Sequence, residues 1–193
     1  MPAASEIDDD RLVRLFVAGD PSAMESLYSK YRAQVYSWLV HTVGVEAAGD
    51  VHQEAWLRVV RSASSYRGGN FRAWLWRIVR NLAIDRSRLA RPQVSLDEPL
   101  GGEEDGQTAL DMLESEAAGA LERMEAAERA AILRDAIDAL PPLQKEVVLF
   151  RIDAEMTFAE IAALTGAPLN TVLGRMRHAA KKLKEAFERG VNG

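Results

Sequence analysis

The segment that most constrains the fold is residues 157–187, which read TFAEIAALTGAPLNTVLGRMRHAAKKLKEAF. Thr157 and Glu160 have the spacing of a capping box, in which each side chain accepts a hydrogen bond from the other residue's backbone amide. Gly166 suits a turn because it lacks a Cβ, and Pro168 suits a helix start. Apolar residues then recur at helical spacing, at Leu169, Val172, Met176, Ala179, Leu183 and Phe187. The pattern predicts a helix-turn-helix whose short first helix buries Phe158, Ile161, Ala162 and Leu164.

The second helix of this motif also carries a cationic side. Between its apolar positions lie Arg175, Arg177, His178, Lys181, Lys182 and Lys184. One packed side and one cationic side is the geometry of a recognition helix in the major groove of DNA. An αα-hairpin with a solvated basic side has the same pattern, so the segment alone leaves both interpretations open.

The distribution of charge favours binding to nucleic acid, although the net charge is −5. Residues 55–91 contain nine arginines and one acid, which gives a local charge of +8. Residues 170–189 contain six bases and two acids, which gives +4, whereas residues 92–130 contain eleven acids and two arginines, which gives −9. Because local patches set the affinity for phosphate, the chain has two candidate DNA-binding blocks separated by an acidic one.

The remaining periodicity predicts an all-α chain with two small helical domains. Helices are predicted at residues 8–18, 20–43, 45–64, 70–90, 121–140 and 143–151, ahead of the helix-turn-helix. Asp20 and Asn70 are the predicted N-caps of the second and fourth helices. Residues 92–120 have the Pro, Gly and acidic composition of a flexible linker. The predicted domains are therefore 1–91 and 121–193, joined by an acidic linker.

Composition and spacing argue against several kinds of site. The chain has no cysteine, so it has no disulfide framework and no thiolate metal site. His41, His52 and His178 stand at no metal-ligand spacing with acids, and there is no glycine-rich phosphate loop. The acidic start MPAASEIDDD lacks the apolar core of a secretory signal, and no apolar run reaches membrane-spanning length. We therefore expect a cytoplasmic protein that is not an enzyme and has no metal, cofactor or membrane insertion.

Four motifs occur in an order and spacing that resemble a known family. They are DVHQE at 50–54, FRAWLWRIVRNLAID at 71–85, LPPLQKEVVLFR at 140–151, and the helix-turn-helix. The first two resemble the promoter-melting domain, region 2, of bacterial sigma factors of the extracytoplasmic-function (ECF) group. The last two resemble region 4 of the same family, which binds the −35 element. The resemblance covers about residues 12–89 and 132–187, which is nearly everything outside the linker.

The resemblance implies that the third helix docks on the clamp helices of RNA polymerase. The matching residues, whose spacing of three and four places them along one helical side, are Asp50, Gln53, Glu54 and Leu57. Acids beside one apolar residue suit an arginine-rich partner, whereas a solvated acidic face is the ordinary alternative. His52 lies off this side and is interpreted as incidental.

The resemblance also implies that the loop at 65–71 and the fourth helix read the −10 element, with one base flipped into the loop. Such a base requires phosphate anchors, an apolar or aromatic stack, and polar groups for its edge. The matching residues are Arg67, Asn70, Phe71, Arg72, Arg77, Arg80, Asn81 and Asp85. Trp74 and Trp76 stand two apart and so point in different directions on a helix. Rather than base stacking, we expect Trp74 in the core and Trp76 partly buried or at a partner surface.

In region 4, the resemblance implies contacts to the −35 element from Asn170, Thr171, Leu173, Gly174, Arg175, Arg177, His178 and Lys181. The family commonly has Lys or Arg where this chain has Leu173, and often Ser where it has Gly174. Leucine cannot donate a hydrogen bond to guanine and can only contact a thymine methyl, so we expect an atypical −35 preference or weaker −35 contacts. Residues 141–144 with Val147, Val148 and Phe150 match the part that cradles the polymerase flap tip. Ordinary core packing also accounts for these apolar residues, and the two roles are compatible.

The function implied by the resemblance is an alternative sigma factor, which directs initiation at specific −35/−10 promoters in a stress or envelope response. Its implied partners are the polymerase core, promoter DNA and an anti-sigma factor. The acidic linker either mimics nucleic acid in a basic polymerase channel or acts as a solubilising spacer. Two rival interpretations remain open: a helix-turn-helix regulator that binds operators as a dimer, and an adaptor that binds a protein and no DNA.

Overall fold

The computed structural model describes residues 8–90 and 126–191, and the regular secondary structure in these ranges is entirely helical. The chain divides into two compact units, Met1–Ser95 and Leu96–Gly193. The all-α prediction and the predicted helix-turn-helix are confirmed. The predicted acidic linker at 92–120 lies outside the described residues, and the predicted domain boundaries stay predictions.

The N-terminal unit contains four α-helices among its described residues: α1 Asp9–Val17, α2 Pro21–Val43, α3 Val45–Ser62 and α4 Phe71–Ala90, with a 3₁₀ turn at Ala63–Ser65. Asp8 caps α1, and Asp20 caps α2 by accepting from the amide of Ser22 at 3.0 Å. Gly44, with φ of +85°, allows the sharp break between α2 and α3. α2 packs against α1, α3 and α4, so it forms the centre of this unit.

The core of the N-terminal unit is built on a pair of tryptophans. Trp38 on α2 and Trp76 on α4 are 1% and 0% exposed, and their ring centroids lie 5.8 Å apart, edge to face. Helical periodicity correctly predicted the buried positions of α2 and α3, including Met24, Leu27, Tyr31, Val35, Leu39, Val51, Ala55 and Val59.

The expectation for the two tryptophans of α4 was wrong. Trp76 lies in the core, whereas Trp74 is half-buried. The reason is the direction of the buried side of this helix, which runs through Phe71, Leu75, Trp76, Val79 and Ala83. Trp74 stands roughly 160° from Trp76 around the helix axis, because each residue advances about 100°.

The C-terminal unit also contains four α-helices among its described residues: α5 Ala126–Asp138, α6 Pro142–Ile152, α7 Phe158–Thr165 and α8 Leu169–Val191. α8 packs against the other three, so the long helix of the helix-turn-helix is also the centre of this unit. Val147, Val148 and Phe150 on α6 are each 0% exposed. The core-packing interpretation therefore holds for these three side chains.

The helix-turn-helix differs from its prediction in three apolar details. On α7, Ile161 is buried, whereas Phe158, Ala162 and Leu164 are half-buried, because this eight-residue helix lies against its neighbours along one narrow side. Leu169 is 45% exposed at the first position of α8, and Phe187 is half-buried near its end. Within the described ranges, no helix combines the length and apolar character that crossing a membrane requires.

Candidate functional site

The loop that precedes α4 depends on glycines and hydrogen bonds for its shape. Gly68 and Gly69 have φ of +83° and +104°, a region that favours glycine. Asn70 caps α4 as predicted, because its Oδ1 accepts from the amide of Ala73 at 2.9 Å. Residues 67–70 are all exposed, so apolar packing contributes little to fixing this loop.

Asp10 on α1 holds the same loop through two hydrogen bonds. The hydroxyl of Tyr66 donates to Oδ1 of Asp10, and the amide of Gly69 donates to its Oδ2 at 2.6 Å. The bond from Tyr66 is the main cause that lowers the pKa of Asp10, while burial, followed by the bond to Asp10, raises the pKa of Tyr66. Sequence reasoning missed this contact, because 56 positions separate its two side chains.

Aromatic rings surround the start of α4. The ring centroid of Tyr66 lies 5.1 Å from that of Trp74 and 6.1 Å from that of Phe71. Phe71 is 1% exposed and also contacts the ring of Tyr31 at 5.8 Å. The prediction that Phe71 contacts DNA is corrected by this burial, since a core side chain offers no surface to a base. Tyr66 and Trp74 are the half-buried rings at the loop.

The polar residues predicted to read the −10 element divide between two sides of α4. Arg77 and Asn81 are exposed and four residues apart, so they lie along one side, and Asp85 is exposed one turn further. Arg72 and Arg80 are half-buried. Helical spacing places Arg72 within the packed side and Arg80 at its edge. The exposed set around the loop and α4 is therefore Arg67, Asn70, Arg77, Asn81 and Asp85.

The predicted polymerase-docking residues lie outside the core of the N-terminal unit. Asp50, Gln53 and Leu57 are exposed on α3, and Glu54 is half-buried. Leu57 is 41% exposed, so its side chain is accessible to a partner. Glu54 forms an ion pair with Arg58 on the same helix at 3.6 Å, a surface contact of little energetic value.

His52 is not incidental, because it belongs to an aromatic cluster between α2 and α3. Its ring centroid lies 6.0 Å from that of Tyr28 and 5.8 Å from that of Tyr36. Its Nε2 lies 3.2 Å from Nε1 of Trp56 and 3.2 Å from the carbonyl oxygen of Arg32. Burial lowers the pKa of His52. The signal available in the sequence was the four-residue spacing of His52 and Trp56 on one helical side.

The turn of the helix-turn-helix has the predicted local chemistry. The amide of Thr157 donates to Oε2 of Glu160 at 2.8 Å, and the amide of Glu160 donates to Oγ1 of Thr157 at 3.2 Å. These two bonds complete the capping box of α7. Gly166 ends α7 in the left-handed conformation with φ of +71°, and its amide donates to the carbonyl of Ala162 at 2.9 Å.

Arg151 fixes the segment that leads into α7, a contact that the sequence analysis missed. Its Nη1 donates to the carbonyl of Met156, and its guanidinium carbon lies 4.9 Å from the ring centroid of Phe158. Met156 is fully buried beside Glu155, whose φ of +51° is the single positive value among described non-glycine residues. The helix-turn-helix is thus joined to α6 through a constrained corner.

The surface of α8 that faces away from the unit carries most of the predicted −35 contacts. Val172, Met176, Ala179 and Leu183 form the buried side. Helical spacing places the opposite side at Asn170, Gly174, Arg177, His178 and Lys181. Thr171 and Arg175 are half-buried on one flank, and Leu173 is 37% exposed on the other.

Gly174 leaves open space at the centre of this outward side. A Cβ built there would meet nothing within 4 Å among the neighbouring described atoms. Glycine inside a helix costs about 0.5–1 kcal/mol relative to alanine, and no intramolecular packing in the described chain accounts for it. The position therefore suits close approach by another molecule.

Within the described ranges, His, Asp and Glu side chains form no group of three suited to hold a metal ion.

Comparison with known proteins gives matches over both units. The family model for sigma-70 region 2 matches residues 27–92, and that for sigma-70 region 4 matches residues 130–183. The RNA polymerase sigma-H factor of Pseudomonas aeruginosa is 30% identical over 192 residues, covering 93% of this chain and 94% of that protein. The ECF RNA polymerase sigma factor SigW of Bacillus subtilis is 27% identical over 169 residues, covering 86% and 90%.

A solved structure has the same fold at low sequence identity. It is the sigma factor RpoE in complex with the anti-sigma factor NepR from Bartonella quintana, with a TM-score of 0.59 and 16% identity. The match covers 85% of this chain and 96% of that one.

Proposed function

The chain belongs to the ECF group of sigma-70 factors, and from this premise we propose how its two units divide promoter recognition. It is an alternative sigma factor, which binds core RNA polymerase and directs transcription initiation at specific promoters. A role in a stress or envelope response fits this group. Sigma factors are DNA-binding regulators, and in this proposal the chain acts in the cytoplasm and has no catalytic activity of its own.

In this proposal residues 1–91 dock on polymerase and read and melt the −10 element, residues 121–193 read the −35 element, and residues 92–120 tether the two. The observation that carries the proposal is that each unit presents exposed cationic and polar side chains on one helix whose other side forms its core. These helices are α4, with Arg77 and Asn81 outward, and α8, with Arg177 and Lys181 outward.

The charge of the whole chain explains why the two surfaces act together. We expect the free chain to bind DNA weakly, because each cationic patch is small and the acidic segment at 92–130 repels phosphate. When polymerase holds both units against one promoter, binding by the first raises the effective concentration of the second. At the −35 element, Gly174 permits close approach of the duplex, and Leu173 offers a thymine methyl an apolar contact.

The exposed side of α3 is the proposed docking surface for the polymerase clamp helices, with Leu57 as its apolar centre. Replacing Asp50 and Glu54 together by Ala is expected to weaken core binding without changing affinity for free DNA. Replacing Glu25 by Ala is a control in the same unit, since this acid is exposed and lies on α2 rather than on the proposed docking side of α3. Unchanged core binding in the Asp50/Glu54 variant contradicts the docking assignment.

We also propose that an anti-sigma factor covers this docking surface, as suggested by the complex of RpoE with NepR. A photo-crosslinking residue at position 57 in the producing cells tests this idea. Under non-inducing conditions we expect a crosslink to a second protein, and under induction a crosslink to the large polymerase subunits. Crosslinks to polymerase alone under every condition contradict this part of the proposal.

The decisive experiment is multi-round transcription with purified bacterial core polymerase, the full chain and a fragmented genomic template, followed by sequencing of the start sites. We expect discrete starts that depend on the protein and share −35 and −10 sequences. Tight operator binding by the protein alone, without such starts, would favour the ordinary regulator. Neither activity, with core polymerase from the same organism, would favour the adaptor.

A further inference from the structure

Three consecutive aspartates at the start of α1 bond to three different parts of the N-terminal unit. Asp8 caps α1, with its carboxylate 3.4 Å from the amide of Asp10. Asp9 accepts from the hydroxyl of Tyr31 and pairs with Lys30 at 2.9 Å, and both partners lie on α2. Asp10 accepts from Tyr66 and from Gly69, in the loop before α4. Of the three, Asp10 is the one that reaches the loop.

We infer that Asp10 is a positioning residue for −10 recognition, which holds the loop at 66–70 in the shape that receives a flipped base. This inference rests on the proposed role of that loop. Asp10 acts through Tyr66 and the loop backbone, and its carboxylate does not touch the base.

The loop has few other constraints on its conformation. Its tip is exposed, and Gly68 and Gly69 have access to more backbone conformations than other residues. The hydroxyl of Tyr66 and the amide of Gly69 each donate to a different oxygen of Asp10. A carboxylate has two acceptor oxygens, whereas the amide of an asparagine has one. Hydrogen bonds to an ionised carboxylate are also roughly twice as strong as those between neutral groups.

The same network continues into the helix that reads DNA. The hydroxyl of Tyr66 accepts from the amide of Asn70 at 3.0 Å, and Asn70 in turn caps α4. The ring of Tyr66 lies 5.1 Å from that of Trp74, so the two rings line the loop together. Loss of the acceptor at Asp10 leaves the hydroxyl of Tyr66 with the bond from the amide of Asn70, so we expect the ring to be held less firmly beside Trp74.

A positioning role and simple electrostatics predict different effects of removing the charge of Asp10. Asp10 is an acid close to a loop that carries Arg67, so Asp10→Asn strengthens general attraction for DNA phosphates. A positioning role predicts instead that the variant loses preference for the correct base. The relevant quantity is therefore the ratio of affinities for two sequences, which a change in folded fraction leaves unaltered.

The experiment uses holoenzyme assembled from core polymerase and the full chain. The probes are fluorescent single-stranded oligonucleotides that carry the −10 element of a mapped promoter, with each position replaced in turn. We expect Asp10→Asn to reduce the ratio of affinities for the best and worst bases at the flipped position on the order of tenfold, which corresponds to lost hydrogen bonds to a charged group. Tyr66→Phe is expected to change the ratio in the same direction.

Asp9→Asn is the matched control, because it removes the neighbouring carboxylate from the same helix without touching the loop. It is expected to lower the melting temperature but to leave the ratio unchanged. Hydrogen exchange at the amides of Gly69 and Asn70 should accelerate in Asp10→Asn and not in Asp9→Asn.

An unchanged ratio in both Asp10→Asn and Tyr66→Phe overturns the inference, as does an equal loss of the ratio in Asp9→Asn. A different result would be that the wild-type holoenzyme prefers no base at any position of the oligonucleotide. That result overturns the proposed −10 role of the loop itself, and the positioning role with it.

Discussion

The two units present their candidate DNA-binding residues by different structural means. In the C-terminal unit these residues lie on a single helix, α8, and the start of the motif is set by Thr157, Glu160 and Gly166 within ten positions of one another. In the N-terminal unit the loop before α4 depends on Asp10, which is 56 positions from Tyr66. Residues close together in the sequence therefore shape the helix-turn-helix, whereas a contact between distant residues shapes the loop before α4. Substitutions should therefore affect the two units in different ways.

The largest expected effect concerns the core of the N-terminal unit. Trp76→Ala removes a fully buried ring and its contact with Trp38, so we expect a loss of about 3–5 kcal/mol in the free energy of unfolding. All four tryptophans lie in this unit, so tryptophan fluorescence during urea unfolding reports it selectively. Trp74→Ala is the control and should cost less, because that ring is half-buried. Equal losses would contradict the assignment of the two tryptophans.

The next effect concerns the proposed contacts of α8 with the −35 element. Arg177 lies on the outward side and should read a base, so Arg177→Ala is expected to lose roughly 1–3 kcal/mol of binding to the preferred −35 sequence and to relax discrimination. Arg175 is half-buried on the flank, which suits a phosphate contact, so Arg175→Ala should weaken binding to all −35 variants equally. Holoenzyme binding to a panel of −35 variants checks both. Sequence-dependent loss in Arg175→Ala would reverse the two roles.

A smaller effect tests whether the capping box of α7 stabilises the C-terminal unit. Thr157→Ala removes one half of the capping box and should cost about 1 kcal/mol of stability. Helical circular dichroism should detect this loss, while tryptophan fluorescence of the other unit remains unchanged. Thr165→Ala is a control at the opposite end of α7, where the hydroxyl only donates back to the carbonyl of Ile161. No loss of stability in Thr157→Ala would show that the cap does not stabilise α7.

The smallest effect concerns pH and arises from the half-buried His52 of the N-terminal unit. Burial lowers the pKa of His52 below its ordinary value of 6.5, so below that pH the unfolded state binds more protons than the folded state. The free energy of unfolding of the N-terminal unit should therefore fall as the pH drops from 6.5 towards the lowered pKa. His52→Gln should flatten this dependence. Above pH 8 the imidazole of His52 is neutral in both the folded and the unfolded state, so the variant should leave the pH dependence there unchanged. An identical acid slope in wild type and variant would rule out His52 as the cause.

The same contrast explains what the sequence could predict. Helix positions, both N-caps, the capping box and the Gly166 turn follow from residues a few positions apart, and periodicity assigned most of the core. The contact of Asp10 with Tyr66 and the placement of Arg151 against Phe158 join separate elements, so local patterns carry no signal for them. The wrong assignment of Trp74 and Trp76 has a related cause. Either ring could face the core according to the local pattern, and the contact of Trp76 with Trp38, on another helix, decides which one does.

The separation of Asp10 from Tyr66 also has a consequence for the order of folding. Closing a contact over 56 positions costs more chain entropy than forming a turn, and it becomes favourable once α2 and α3 have already assembled. The loop before α4 is therefore among the last parts of the N-terminal unit to take its final shape. A partly unfolded chain, in which α1 has not docked on the rest of its unit, can still contain α8, the proposed recognition helix, but lacks the finished loop that is proposed to receive a flipped base.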